Sequence, residues 1–348
     1  MNRFLKEPFY SAFKLSRAYK LAKWAHRKKI LIVAYHGILQ RNSRSYVNRN
    51  CTYAQIFEEQ LRWLKRNYTI LPLCDILDGM ENKKELPEYA AAITFDNGFR
   101  NNFEVALPIL VKQNLAATVF LSTDLIGENN KKLWNDHVDA LVQTSTAERL
   151  SLQMNGNLTN FNISSTTGKI QASDNIRSYL KALNPAERNR KILNLEHQVD
   201  GIDYGEDGRF DFLNWDEVRK MVEGGIEFGS NGASNTSLST LSAEELRREV
   251  VESKNKIESE LQRSCLYFSY PNGLCRDYSI RDKEMVRKTG YRAAFSMVQN
   301  LNDRDQDFFE LKRININSYG SFGYFIAKAT GILETVKRSG EKIWPGIV

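Results

Sequence analysis

Seven short apolar runs, each ending in a polar or glycine-bearing turn, recur along this 348-residue chain. They are Ile30–Tyr35, Ala90–Phe95, Ala117–Leu121, Ile226–Ser230, Leu266–Tyr270, Ala293–Met297 and Leu311–Ile316. A run such as Ile30-Leu31-Ile32-Val33-Ala34-Tyr35 shows no polar alternation, which suits a strand buried on both faces. Helical patterns separate most of the runs. Thr52 and Gln55 stand at capping-box spacing before Ile56, Phe57, Leu61 and Leu64, and Leu73–Leu77 reads as a second, short helix. Phe103–Gln113 reads as a helix bent at Pro108, and Trp215–Val222 as one ending at Gly224-Gly225. Ser242 and Glu245 predict a capped helix through Leu261, and Gly290 stops a helix over Lys283–Thr289. Strand–helix alternation of this kind argues for an α/β fold, either a parallel barrel or a doubly wound sheet. In both, functional groups gather at the C-terminal strand ends. Here those ends carry His36, Asp96-Asn97, Ser122-Thr123-Asp124, Asn231, Asn235 and Pro271-Asn272-Gly273.

Residues 128–215 break the alternation. Ser151–Phe161 alternates around Asn155-Gly156, a hairpin signal, and a helical region follows over 175–199. The segment reads as an insertion decorating one face of a barrel spanning 30–330, with a tail over 331–348.

The net charge of +7 is local. Residues 1–30 hold nine Lys/Arg and one acid, Glu7, whereas the remainder holds 40 bases and 41 acids. The extension over 1–29 has no apolar run or small-residue cleavage site after its bases, so a secretory signal is not predicted. Its pattern suggests a basic helix with Phe4, Leu5, Phe13, Leu21 and Trp24 as apolar contacts. Such a helix either lies on an anionic membrane surface or packs on the barrel exterior. Nucleic-acid binding is disfavoured, because the neutral body does not extend the patch. No run of 18 apolar residues spans a membrane. Cys51, Cys74, Cys265 and Cys275 are widely spaced without a C-x-x-C pair and read as reduced thiols, which points to a cytoplasmic location.

The motif order resembles that of the polysaccharide deacetylase family, carbohydrate esterase family 4 with its NodB-like homology region. The residues that carry the likeness are Tyr35-His36-Gly37, Thr94-Phe95-Asp96-Asn97-Gly98, Ser230-Asn231-Gly232-Ala233-Ser234-Asn235 with Leu238, and Tyr270-Pro271-Asn272-Gly273. Leu311-Lys312-Arg313-Ile314 is similar to a late strand of these proteins. The resemblance implies a distorted seven-stranded (β/α) barrel. It also implies metal-assisted hydrolysis of an acetyl group, usually N-acetyl, on a sugar or polysaccharide. In that pattern zinc or another divalent cation polarises the acetyl carbonyl and acidifies the attacking water.

Carried over residue by residue, Asp96 matches the general base and His36 the acid. Asn272, following Pro271, matches a backbone oxyanion donor. Ser269 stands where many members have an arginine that orients the base. Asn97, Asn231 and Asn235 stand at the three metal-ligand positions. Neutral amide oxygens are weak ligands beside imidazole or carboxylate, so no firmly bound metal is expected. Asn97-Gly98 and Asn231-Gly232 also suit ordinary turns, and a lone His36 ending a buried strand also suits a core histidine. Trp134 fits either sugar stacking or a core position. His137 and His197 receive no role. Three accounts of the asparagines stay open: an inactive sugar-binding relative, an altered copy of an active deacetylase, and hydrolysis by Asp96 and His36 without firmly held metal. A membrane-peripheral scaffold using residues 1–30 is the reading from another class.

Overall fold

The computed structural model describes residue 10 and residues 19–41, 51–128, 131–316 and 320–333. Its strands are β1 (Leu31–Tyr35), β2 (Gly37–Leu39), β3 (Cys51–Tyr53), β4 (Thr69–Ile70), β5 (Ala90–Asn97) and β6 (Thr118–Leu121). They continue as β7 (Arg149–Met154), β8 (Asn157–Asn162), β9 (Glu227–Ser230), β10 (Tyr267–Ser269), β11 (Ala293–Phe295) and β12 (Ile314–Asn315). The principal sheet runs β11-β10-β9-β6-β5-β1-β12, with every pair parallel, so the seven apolar runs become its seven strands. Short β4 adds to the start of β5 through Thr69↔Ala90 and Ile70↔Ala91. The last segment reaches both edges. Ser296 N donates to Leu311 O at 2.7 Å beside β11, while Ile314 pairs with Val33 of β1. The sheet therefore curls into a distorted barrel.

Strand periodicity decides what faces inward. Leu31, Val33 and Tyr35 pack outward in one cluster with Ile93 and Phe95, under the surrounding helices. Ile30, Ile32, Ala90, Ala92, Phe120, Tyr267, Phe295 and Leu311 fill a second cluster on the opposite face. Side chains alternate along a strand. Continuing the second set by steps of two reaches His36, Asp96, Ser122, Ser269 and Arg313, which places these polar groups at the barrel's mouth.

Local expectations fare unevenly. The Asn155-Gly156 hairpin forms as β7–β8, with φ of 49° and 84° at its turn. The Ser242/Glu245 capping box is present. The predicted Thr52 cap is not: Cys51–Tyr53 pairs with Gly37–Leu39, so that backbone is committed to a ladder, and the helix starts at Ala54 without a side-chain cap. Pro108 does not bend a helix interior. A π-helical turn over Asn102–Ala106 precedes Leu107–Gln113, where proline sits in the first turn and its missing N–H costs nothing. Leu21 and Trp24, expected as apolar contacts, are exposed on helix Tyr19–Ala25; Tyr19 and Ala22 pack instead. Phe4, Leu5 and Phe13 lie outside the described residues. Among the described residues no helix is long and apolar enough to cross a membrane.

The stretch that interrupts the alternation has its own apolar core. Val138, Leu141, Leu150, Phe161, Ile176 and Leu195 belong to it, and its helices are Trp134–Thr144, Thr166–Lys181 and Pro185–Glu196. Lys181 reaches Asp277 at 2.9 Å and Arg188 reaches Thr236 at 3.1 Å, so this unit leans over the loops that follow β9 and β10. His137 is spent inside it, between Tyr204 Oη at 2.5 Å and Glu196 Oε1 at 2.6 Å.

Candidate active site

Asp96, the penultimate residue of β5, is held from the opposite wall. Arg313 Nη1 donates to Asp96 Oδ1 at 2.7 Å, and Nη2 donates to Oδ2 at 2.8 Å. This fork pins both carboxylate oxygens in one plane, the geometry in which arginine binds carboxylate best. Arg313 is itself fixed: Nε donates to Ser296 O at 3.1 Å, and Nη2 to Ser269 Oγ at 2.7 Å. Ser269 Oγ in turn lies 3.3 Å from Asp96 Oδ2. A guanidinium for Asp96 thus comes from the residue immediately before β12, with Ser269 filling the remaining gap. The signal was available. A cation two residues from an inward leucine, on the same face of the Leu311–Ile316 segment, has to find a buried anion.

His36 ends β1, and its backbone oxygen accepts from Asn102 Nδ2 at 2.7 Å. Its Nδ1 is buried without a partner. Burial holds the imidazole below the usual histidine range; the Asp96 charge pulls it up, and Arg313 pushes it down.

The three asparagines meet at the ends of β5 and β9. Asn235 Nδ2 donates to Asn97 Oδ1 at 2.8 Å and to Asn231 Oδ1 at 2.6 Å, with Ser122 Oγ at 3.3 Å. Asn231 Nδ2 donates to Ser269 O at 2.9 Å, which leaves its oxygen for Asn235. That carbonyl can only accept, so the direction of the chain of bonds is determined. Asn97 and Asn235 have φ of 80° and 60°, a left-handed backbone that asparagine tolerates better than most side chains. Gly232, at φ 78°, is required by close approach. A Cβ there would lie 2.5 Å from Glu249 Oε2, the atom that accepts from Ala233 N at 2.7 Å and Ser234 N at 3.0 Å.

The remaining candidates sit around this centre. Asn272 is exposed at φ 61°, and its Nδ2 donates to Ser237 Oγ at 3.0 Å. Among the described residues no acceptor takes its backbone N–H. Pro271 is buried against the Gly232 turn. Trp134 packs partly on the core of the interrupting unit and lines a pocket of about 390 Å³ beside Ser234 and Thr236. Among the described residues no three His, Cys, Asp or Glu side chains come together as a metal-ligand group.

A sequence model of the polysaccharide deacetylase family matches residues 83–294, more than half of the chain, and the chain belongs to that family. YxkH of Bacillus subtilis (strain 168), which carries the family's name, is 20% identical over 303 residues, 86% of this chain and 76% of its own. The Streptococcus pyogenes deacetylase PplD, solved in complex with acetate, is 16% identical. It superposes with a TM-score of 0.56, covering 88% of this chain and 97% of its own. IcaB from Ammonifex degensii is 15% identical at the same TM-score of 0.56, with 87% and 97% covered. At these identities the two structures establish the fold.

Proposed function

We propose that this chain binds an acetylated sugar or polysaccharide at the barrel's mouth and is impaired in the family's metal-dependent deacetylation. The observation that carries the reading is the Asn235 amide. Its N–H bonds run to Asn97 Oδ1 and Asn231 Oδ1, the two oxygens that would otherwise be offered to a cation. A hydrogen-bond donor stands where a third ligand would be needed, and none of the three groups is anionic. Hard cations want several oxygens and a carboxylate, and zinc wants imidazole or thiolate. The donor set therefore does not fit a tightly held divalent metal.

The rest of the constellation supports ligand binding more than turnover. Asp96, matching the family's base, is oriented by Arg313. His36, matching the acid, is biased towards its neutral form at pH 7, whereas a general acid must hold its proton. Asn272 N–H remains an oxyanion donor in wait.

Zinc calorimetry and acetate release from chitotetraose test the proposal, with the triple variant Asn97→Asp, Asn231→His, Asn235→His alongside. The unaltered chain should keep no stoichiometric zinc after dialysis. The variant should bind one zinc and release acetate faster by on the order of 10³-fold, the worth of a Lewis acid supplying several kcal/mol. Tight one-to-one zinc on the unaltered chain overturns the reading.

A further inference from the structure

We infer that the pocket between helix Pro185–Glu196 and the Ser234–Thr236 loop is a subsite for an oxyanion, a carboxylate or phosphoryl group carried by the bound glycan. The inference rests on the glycan reading above and adds the charge of the ligand.

Arg188 carries the argument. It is 5% exposed, yet it lines the pocket, as do Trp134, Ser234 and Thr236. One Nη donates to Thr236 Oγ1 at 3.1 Å, its guanidinium lies 4.9 Å from the Trp134 ring centroid, and its buried Nε has no partner. Among the described residues no carboxylate lies within ion-pair distance of it. Among the described residues the other buried arginines differ: Arg209 meets Asp207, and Arg313 meets Asp96. A cation taken out of water without a counter-charge is costly, and a planar guanidinium best recovers that cost from a two-oxygen anion.

Neighbouring charges are already engaged. Glu249, the acid whose field reaches Arg188, accepts from Ala233 N, from Ser234 N and, at 2.5 Å, from Ser234 Oγ. Arg248 pairs with Asp124 at the rim, and Lys132 pairs with Asp211 at 2.8 Å. Burial lowers the guanidinium to about 10, so it still carries its charge at neutral pH. Thr236 and Ser234, which line the pocket, flank Asn235 of the asparagine centre in the chain.

Isothermal titration of the full chain with three probes tests this: chitotetraose, a glucuronate-containing hyaluronan tetrasaccharide, and N-acetylglucosamine 6-phosphate. At least one acidic probe should bind roughly 10-fold or more tighter than chitotetraose, in line with a charge-assisted bond. Which one does so separates carboxylate from phosphoryl. Arg188→Met should abolish that preference without weakening chitotetraose, and Arg188→Lys, which keeps charge and stem, should retain part of it. Melting curves establish whether the variants fold; if the Met variant does not, a reduced preference in the Lys variant supports the subsite and an unchanged one overturns it. Equal binding of acidic and neutral probes, or a preference that survives Arg188→Met, overturns the subsite and leaves the glycan reading standing. If no probe binds, the glycan reading fails and takes the subsite with it.

Discussion

The barrel's mouth has two halves built on opposite principles. On one side Asp96 and Arg313 place full charges in a buried setting and compensate them atom for atom. On the other, Asn97, Asn231 and Asn235 form a neutral chain of amides that satisfies itself. Ser269 joins them, with its hydroxyl on Arg313 and its carbonyl on Asn231. The contrast teaches that one barrel mouth can be ordered in two ways. The charged half is fixed by a paired fork of charge-assisted bonds, and the neutral half by amide hydrogen bonds of ordinary length that leave no group uncompensated.

The comparison breaks most visibly at Arg313. Arg313→Met leaves Asp96 buried beside Ser269 with no cation, and losing one partner of a buried pair costs about 3–5 kcal/mol. Urea denaturation should record that loss. The double variant Asp96→Asn/Arg313→Met should recover much of it, because no lone charge remains. A single-variant loss below about 1 kcal/mol would mean that water, and not Arg313, compensates Asp96.

Asp136 sharpens the contrast, being a buried acid whose nearby cations are used elsewhere. Arg177 is committed to Asp139 at 2.9 Å and Asp174 at 3.0 Å. Burial first, and the Asp139 charge second, push the Asp136 carboxyl up to about 7. The folded state thus holds a proton that the unfolded chain releases near pH 4. The associated stability is full below about pH 4, falls as the pH rises, and is gone above about 7. Asp136→Asn should remove this dependence and gain on the order of 3 kcal/mol over the parent at pH 8, with little difference at pH 4. Parallel stability curves for the two proteins across that range would refute it.

Much of this architecture is written in periodicity. The seven apolar runs return as the seven sheet strands, and the strand ends hold the polar residues that the pattern nominates. Asn97 lies 138 residues before Asn235 in the chain, yet it meets the Asn231/Asn235 pair within hydrogen-bond distance, as their motif positions imply. Arg313 escaped because its partner lies 217 residues away, and no local pattern states which buried anion an inward strand cation will find. Arg188 escaped for a related reason: the helix that carries it belongs to the interrupting unit, whose placement depends on tertiary contacts. Thr52 misled because a capping pattern and a strand residue use the same backbone groups, and long-range pairing with β2 wins over a local cap.

The smallest expected effect asks why asparagine stands at position 97 at all. Two reasons coexist there: a left-handed backbone at φ 80°, and an amide oxygen that accepts from Asn235 at 2.8 Å. Asn97→Gly removes the hydrogen bond but eases the backbone, whereas Asn97→Ala removes the bond and keeps a Cβ in a conformation that disfavours it. If the backbone sets the residue type, Ala should cost about 1–2 kcal/mol more than Gly in chemical denaturation. If the amide network sets it, the two variants should lose the same amount, near the 1 kcal/mol of an ordinary hydrogen bond. The left-handed φ shared by Asn97 and Asn235 argues for the first outcome. Equal losses would assign the neutral half of the site to its hydrogen bonds alone, and would make position 97 as free to accept aspartate as the triple variant assumes.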